Sequence, residues 1–181
     1  MNELKPPPGL IMVYTGNGKG KTTAALGTTI RAAGYKWKVF ILQFIKGSWH
    51  YGEMDGIKLL SDFVDMEQMG KGFYKIIDDD LPEEEHKKAA AAALEKARDV
   101  MQSGDYRLVI LDEINNAVEL RLIELNDVLE LLKNKPPKLN VILTGRNAAP
   151  EVIEVAHLVT EMKEIKHPFQ QGYMAKKGID F

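Results

Sequence analysis

The stretch that decides the fold is VYTGNGKGKTTAALG, residues 13–27, which follows a short apolar run and continues into helix-forming sequence. The usual phosphate-binding pattern is G-x-x-x-x-G-K-[ST], whose backbone N–H groups surround phosphate oxygens while its lysine reaches the outer ones. Gly20–Thr22 supplies the second half of this pattern, but Thr15 stands where the first glycine is expected and Gly16 comes one place later. Because Gly16 and Gly18 still allow a tight turn beside an anion, the stretch is interpreted as a variant phosphate-binding loop.

The loop residues have separate expected roles. The predicted helix over 21–33 directs its positive N-terminus at the bound phosphates. Lys21 is the phosphate lysine, and the Thr22 hydroxyl lies on the Mg²⁺ side. The alternative is a glycine-rich turn between a strand and a helix that binds nothing. A strand before the loop, a helix after it and the GKT triplet between them favour the phosphate site. The predicted phosphate-binding residues are Gly16, Asn17, Gly18, Lys19, Gly20, Lys21, Thr22 and Thr23.

A second motif, LVILDE at residues 108–113, places two carboxylates at the end of a predicted strand. In open α/β sheets, ligands bind at the carboxyl ends of the strands, which is also where the glycine loop is expected. Asp112 and Glu113 are therefore predicted to bind Mg²⁺ together with Thr22, directly or through water. A lone acidic pair is more often a surface turn, and the pairing with the loop favours the metal site. The triplet at 78–80 is explained more simply as an acidic helix entrance.

Continuous apolar runs alternate with helical stretches along the chain. This alternation predicts an α/β fold with a parallel sheet covered by helices on both faces. The chain is predicted to form one domain over 1–181, with 1–9 as a short flexible arm. Strands are predicted at 10–15, 37–44, 57–63 (the weakest), 106–113, 139–144 and 157–163, and helices at 21–33, 83–103, 114–121, 124–133 and 150–156.

Composition bounds the function classes. A chain of 181 residues, 45% of them hydrophobic, is long enough for one well-buried core. The net charge of −2 provides no global basic field for nucleic acid or anionic membranes. The absence of cysteine excludes disulfides, thiolate zinc sites and a cysteine nucleophile. No apolar run has the length of a signal-peptide core or a membrane span, so a cytoplasmic protein is expected.

Several segments together resemble the ATP:corrinoid adenosyltransferases, the family that makes adenosylcobalamin on a P-loop fold. The similarity covers about residues 11–181 and includes the displaced first glycine. Two features depart from the family pattern: about ten residues precede the first strand, where well-known members carry a helical extension, and Lys75 stands where relatives often have tryptophan. The resembling segments are VYTGNGKGKTTAALGT, VFILQFIKGSW (39–49), GFY (72–74), VILDE, VILTGR and the tail EIKHPFQQGYMAKKGIDF.

The resemblance implies a RecA-like P-loop domain that transfers the 5′-deoxyadenosyl group of ATP to the Co(I) centre of a corrinoid and releases tripolyphosphate. The corrinoid is cobalamin, cobinamide or cobyrinic acid diamide. In this family ATP lies reversed relative to other P-loop enzymes, with its γ-phosphate where others hold the α-phosphate. The resemblance also implies Mg²⁺ or Mn²⁺, a flavoprotein reductant and a homodimer. Lys21, Glu113 and Phe73 are the implied catalytic residues.

The remaining site residues are also carried over by the resemblance. Arg146, which follows VILTG, is expected to touch phosphate or ribose, and its alternative is a solvated arginine at a strand exit. The implied corrinoid-binding residues are Gln43, Lys46, Trp49 and Phe73. Phe73 is expected to exclude the lower axial ligand of cobalt, although core packing is the more usual role of such an aromatic residue. His167 is interpreted as a packing or hydrogen-bonding residue.

Two other functions share the loop and the acidic strand end. One is a nucleoside or small-molecule kinase, which usually needs a lid or an arginine cluster over the γ-phosphate, and the sequence shows no such basic cluster. The other is a non-catalytic nucleotide-binding switch that reports ATP to a partner.

Overall fold

The structure, a computed structural model, describes residues 8–47, 50–72, 74 and 81–181. Trp49, Phe73, Lys75 and the acidic triplet at 78–80 lie outside the described residues. Within the described ranges the chain alternates strands and helices. The strands are β1 (Ile11–Thr15), β2 (Val39–Gln43), β3 (Val64–Gln68), β4 (Leu108–Asp112), β5 (Asn140–Thr144) and β6 (Leu158–Glu161). The helices are α1 (Lys21–Gly34), α2 (Gly52–Lys58), α3 (Glu83–Gln102), α4 (Ile114–Glu119), α5 (Leu125–Lys133) and α6 (Pro150–Val155), followed by a short 3₁₀ helix at Pro168–Gln171.

The strands form one parallel sheet in the order β3-β2-β4-β5-β1-β6. Helices α1 and α2 pack on one face of this sheet, and α3, α4, α5 and α6 pack on the other. Central strands β2 and β4 are buried along their whole length, as expected for strands covered on both sides. The predicted α/β fold, with helices on both faces of a parallel sheet, is confirmed.

Helix α3 shows how local sequence fixes packing. Its first turn carries Glu83–Glu85 behind Pro82, a composition that suits the positive end of the helix. Ala90, Ala93 and Ala97 are almost fully buried, so that small side chains line the face that meets the sheet.

Among the described residues, no helix is both long and apolar enough to cross a membrane.

The prediction of a strand at 57–63 was wrong. Ile57 and Lys58 end α2, residues 59–63 form turns, and the strand follows at Val64–Gln68. This strand, VDMEQ, lies at the edge of the sheet and buries fully only Val64, so its polar residues hide the strand signal. Of the apolar residues that suggested a strand, Ile57, Leu60 and Phe63 pack instead against the α1 side of the sheet, whereas Leu59 is exposed.

The backbone just before β1 is hydrogen-bonded to the segment that leads into β5. Gly9 is buried, and its backbone N–H donates to the Pro137 carbonyl at 2.7 Å. The Lys135 ammonium in turn donates to the Gly9 carbonyl at 2.9 Å. Residues 1–7 of the proposed arm lie outside the described part of the chain, and this part of the prediction stays untested.

Candidate nucleotide site

A pocket of about 650 Å³ opens at the carboxyl ends of the parallel strands, where α/β folds place their ligands. Its walls come from four parts of the chain. They are the second half of the glycine loop with the start of α1 (19–23), the segment after β2 (46 and 51–53), the ends of β4 and β5 with the start of α4 (113, 116 and 144–146), and residues 178–181.

Lys21 lies at the turn of the glycine loop and extends back across it. Its ammonium donates to the carbonyl oxygens of Gly16, at 2.7 Å, and Gly18, at 2.8 Å. Gly20 has φ 115°, a left-handed conformation that favours glycine and lets α1 begin at Lys21. Burial, and then the charge of Arg146, lower the pKa of Lys21. The lysine is thus partly desolvated at the mouth of the pocket, where an anion would relieve the repulsion from Arg146.

The first half of the loop has a second neighbour that sequence spacing did not reveal. The Gly18 N–H donates to the Met162 carbonyl at 2.6 Å, and the Met162 N–H donates to the Thr15 carbonyl at 2.8 Å. A Cβ added at Gly16 or Gly18 would lie 2.5 or 2.7 Å from the Met162 carbonyl oxygen. Both glycines are therefore required by the chain that continues from β6. In this arrangement the Gly18 N–H is already bonded within the protein.

Asp112, at the end of β4, is almost completely buried and hydrogen-bonded at both oxygens. Its Oδ1 accepts from the Thr22 hydroxyl at 2.8 Å and from the Thr144 hydroxyl at 2.7 Å. Its Oδ2 accepts from the Gln43 amide at 2.9 Å. Strand β5 lies between β1 and β4, so Thr144 at its end joins the acidic strand to the loop side of the site. These donors fix the carboxylate beside the Thr22 hydroxyl.

Glu113 follows in a left-handed conformation with φ 63°, which is uncommon for any residue with a side chain. Its N–H donates to the Thr144 hydroxyl at 2.8 Å, and its carbonyl accepts from Ala117 in the first turn of α4. Burial, together with the neighbouring Asp112 charge, raises the pKa of Glu113 to about 7. Such strain and such a carboxylate are often found where a protein binds a cation or a substrate.

Lys46 lies on the opposite wall. Its ammonium contacts Glu53 at 2.5 Å and Asp112 Oδ2 at 3.9 Å, and it lies 4.7 Å from the centre of the Tyr51 ring. Burial by itself lowers the pKa of Lys46, but Asp112 and Glu53 together raise it overall. The lysine therefore remains charged at the pocket wall, beside the carboxylate pair.

Gln43 lies beneath the pocket, not on its wall. Its side chain is almost completely buried, and besides donating to Asp112 it accepts from the Gln68 amide at 2.7 Å. Gln68 thus connects the edge strand to the acidic strand through Gln43. The structure gives Gln43 a role in holding Asp112, and its predicted contact with a corrinoid stays a prediction.

Arg146 follows β5 and is exposed at the pocket wall. Its backbone N–H donates to the Asn116 side-chain oxygen at 3.0 Å, which fixes the start of the loop that carries it. Gly145 has φ 134°, and a Cβ there would lie 2.5 Å from the same oxygen. The close approach of this turn to α4 places the guanidinium near Lys21.

The structure brings most of the predicted site residues to one place. Thr15, Gly16, Gly18 and Gln43 lie next to the pocket without lining it, and Asn17 is exposed outside the pocket wall. The Nδ1 atom of His167 accepts a hydrogen bond from the Phe169 N–H. Trp49 and Phe73 lie outside the described residues. The predicted residues on the pocket wall are Lys19, Gly20, Lys21, Thr22, Thr23, Lys46, Glu113 and Arg146.

Sequence reasoning missed four contributors: Thr144, the Tyr51–Glu53 segment, Met162 and residues 178–181. A polar residue at the end of a strand in an α/β fold was the available signal for Thr144. The other three lie far from the loop in the sequence, and no local sequence pattern predicts their contact with the site.

The residues present fit a magnesium ion. The described residues contain no cluster of three or more histidine, aspartate or glutamate side chains that could hold a metal ion. They do supply two carboxylates, Asp112 and Glu113, beside the Thr22 hydroxyl. Mg²⁺ bound with a nucleotide usually keeps several waters and takes few protein ligands, since the phosphates supply others. Burial and the Asp112 charge raise the pKa of Glu113 despite the opposing charges of Lys46, Lys21 and Arg146, and a bound cation would favour its ionised form.

The parallel sheet, the glycine loop leading into α1 and the carboxylates at the end of β4 define a P-loop nucleotide-binding protein. A solved structure supports this fold: the flagellar accessory protein FlaH from Methanocaldococcus jannaschii matches with a TM-score of 0.53. The match covers 86% of this chain and 71% of that one at 14% sequence identity, so it bears on the fold alone.

The chain belongs to the family described as ATP:corrinoid adenosyltransferase BtuR/CobO/CobP, whose model matches residues 8–181. It is 38% identical to the corrinoid adenosyltransferase of Pseudomonas aeruginosa over 96% of this chain and 84% of the relative. It is 40% identical to that of a Sinorhizobium species over 96% and 80%, and 36% identical to that of Escherichia coli over 96% and 86%. The resemblance found in the motifs is confirmed, and the protein is an enzyme of this family.

Proposed function

We propose that this enzyme transfers the 5′-deoxyadenosyl group of ATP to the Co(I) centre of a corrinoid and releases tripolyphosphate. The observation that supports this most directly is the convergence of Lys21, Arg146 and Glu113 on one pocket, with the buried Asp112 hydrogen-bonded to Thr22 of its wall, in a chain that belongs to this family. The reaction breaks the bond between C5′ and the phosphate oxygen and forms a cobalt–carbon bond with the electron pair of Co(I).

The cationic residues suit the leaving group. As C5′ is attacked, negative charge grows on the departing oxygen of tripolyphosphate. The Lys21 ammonium, already partly desolvated, would stabilise that charge, and Arg146 would contact the phosphates or the ribose. ATP would lie with its γ-phosphate where other P-loop enzymes hold the α-phosphate, so that C5′ faces the corrinoid.

Mg²⁺ or Mn²⁺ would be held by Thr22, Asp112 and Glu113. When bound, the ion neutralises charge on the phosphate oxygens. Asp112 would orient the Thr22 hydroxyl through their 2.8 Å hydrogen bond, and Thr144 and Gln43 would keep Asp112 in place. Glu113 would supply the second negative charge.

The corrinoid side is proposed from the resemblance. Gln43, Lys46, Trp49 and Phe73 would contact the corrinoid, with Phe73 against the lower face of the ring, where it displaces the axial ligand and eases reduction of Co(II). A flavoprotein would supply the electron, and the acceptor would be cobalamin, cobinamide or cobyrinic acid diamide. The dependence on ATP supports a cytoplasmic location, and the enzyme would act as a homodimer.

The decisive experiment incubates the protein with ATP, Mg²⁺ and chemically reduced corrinoid. We expect the absorbance spectrum of a cobalt–carbon bond and one tripolyphosphate for each adenosylated corrinoid. A kinase would instead form ADP, and a nucleotide switch would form neither product. Lys21→Ala should abolish turnover, because the Lys19 charge of the same loop is paired with Asp180 and does not replace it, while circular dichroism stays native.

The matched control is Lys88→Ala, which removes an exposed lysine from the surface of α3 and should leave turnover unchanged. Near-normal kcat in Lys21→Ala would contradict the assignment of the leaving-group site. Release of ADP by the unaltered protein would contradict the proposed reaction itself.

A further inference from the structure

Residues 176–181 form a tight turn that lies over the glycine loop. The N–H groups of Ile179 and Asp180 donate to the Lys176 carbonyl at 3.0 and 2.8 Å, and the Gly178 N–H donates to the Phe181 carbonyl at 2.8 Å. Asp180 closes the turn, because its Oδ2 accepts from the Lys176 N–H at 2.7 Å. The turn therefore holds the Asp180 carboxylate in a defined direction.

That carboxylate faces the loop. Asp180 Oδ1 lies 2.5 Å from the Lys19 ammonium, a contact between residues 161 positions apart. The hydrogen bond from Lys19, and then the one from the Lys176 backbone, lower the pKa of Asp180. Asp180 is therefore ionised at neutral pH, where it faces the Lys19 ammonium.

The same turn forms part of the pocket. Gly178–Phe181 line it together with Lys19–Thr23 of the loop and with Tyr51–Glu53. The Phe181 backbone lies 3.8 Å from the position of a Cβ at Gly52, so the turn connects the loop side to the wall that carries Tyr51. Ile179 and Phe181 give this wall apolar surface, which suits a nucleoside better than a triphosphate.

We infer that residues 178–181 form the nucleoside-facing wall of the ATP pocket, and that Asp180 positions this wall by binding Lys19. The inference rests on the proposed use of ATP. Lys19 is then a clamp for the wall and not a phosphate ligand, since its charge is neutralised by Asp180. Lys21 differs, because its ammonium bonds to backbone carbonyl oxygens and keeps its net charge for the phosphates.

The test compares binding of ATP with binding of tripolyphosphate, which lacks the nucleoside, by titration calorimetry in the absence of corrinoid. Asp180→Asn and Lys19→Met should each weaken ATP binding about three- to fivefold, the range for a partly exposed ion pair. The double variant should be no worse than either single one. Tripolyphosphate binding should stay unchanged, and Asp180→Glu should retain most of the ATP affinity.

Controls separate the clamp from general effects of charge or folding. Lys177→Met removes the neighbouring exposed lysine of the turn and should change neither dissociation constant. Ile179→Ala should weaken ATP but not tripolyphosphate binding, through lost contact with the nucleoside. Unchanged thermal melting in each variant shows that the fold is intact, as expected for exposed side chains.

Two results would overturn the inference. If Lys19→Met weakened tripolyphosphate as much as ATP, Lys19 would be a phosphate ligand. If Asp180→Asn tightened ATP binding, the carboxylate would be a competitor of the phosphates and not a support for the wall. This test measures binding of ATP and tripolyphosphate without corrinoid. Its results can therefore be interpreted even if the protein does not catalyse adenosyl transfer.

Discussion

Glu113 combines a left-handed backbone, a buried carboxylate and a like-charged neighbour within one residue. Each of these lowers the stability of the fold when no ligand is bound, and binding of a cation would relieve two of them. Glu113 thus resembles functional residues that lower the folding stability of the ligand-free protein because binding requires them.

We expect Glu113→Gln to stabilise the ligand-free protein by about 1–2 kcal/mol at about pH 8 and to weaken the metal dependence of turnover. The pKa of Glu113 is raised to about 7 from an ordinary value of 4.5. Its ionisation therefore begins to lower stability as the pH rises above the unfolded value, and the full effect is reached above about 7. The gain from the variant should accordingly shrink as the pH falls toward about 5.

Thermal melting at several pH values, with chelator present, measures this effect. Glu154→Gln, at an exposed glutamate of α6, is the control and should melt like the unaltered protein throughout. A variant that melts lower than the unaltered protein at about pH 8 would show that Glu113 is already compensated within the fold.

The loop and the strand next to it form a unit at the scale of secondary structure. Gly16 and Gly18 are glycines because the chain leaving β6 passes directly over them, with Met162 against both. The loop conformation is therefore determined by β6 as much as by its own sequence.

Gly18→Ala should destabilise the protein by about 1–3 kcal/mol and weaken ATP binding, since the added methyl group must displace the Met162 carbonyl. Gly27→Ala is the matched control within the same motif: it lies in α1 with no atom within 4 Å of the added Cβ. That variant should stabilise by about 0.5–1 kcal/mol through helix propensity. Urea unfolding compares the two, and equal effects would mean that Met162 does not constrain the loop.

How far the sequence predicts these elements depends on where their partners lie. Buried strands such as VFILQ and LVILD were predicted correctly because both their faces are apolar. Edge strand β3 was missed because VDMEQ packs mainly one face. Thr22 and Asp112 were paired through a known motif, whereas the contacts of Thr144 and Met162 depend on strand order, which no local pattern encodes.

At the scale of the whole molecule, one edge of the sheet and the tail beyond it expose much apolar surface. β6 pairs with β1 and is exposed along its length, and Ile165, Phe169 and Met174 beyond it are largely exposed. Unpaired edges and contiguous apolar patches are typical of protein interfaces. We propose this surface as the interface of the homodimer.

Phe169→Asp should therefore shift the protein from dimer to monomer with little change in unfolding free energy, because the side chain is 76% exposed within one chain. Analytical ultracentrifugation measures the shift. Leu59→Asp, at a residue that is 87% exposed near the opposite edge of the sheet, is the control and should remain dimeric. The unaltered protein should be dimeric at about 100 µM, a concentration well above the dissociation constant of a specific dimer. If it were monomeric at that concentration, the homodimer would be contradicted.

The ion pair between Lys19 and Asp180 has a consequence for the order of folding events. Contacts that span 161 residues form late, since the loop-closure entropy is lost before the contact stabilises the chain, and parallel sheets add further long-range pairings. During refolding, helix signals should recover before the capacity to bind nucleotide. During synthesis, a nascent chain that has already formed the glycine loop still lacks one side of its binding site. Nucleotide affinity therefore depends on a residue 161 positions beyond the loop, and not only on the loop that contains the recognisable motif.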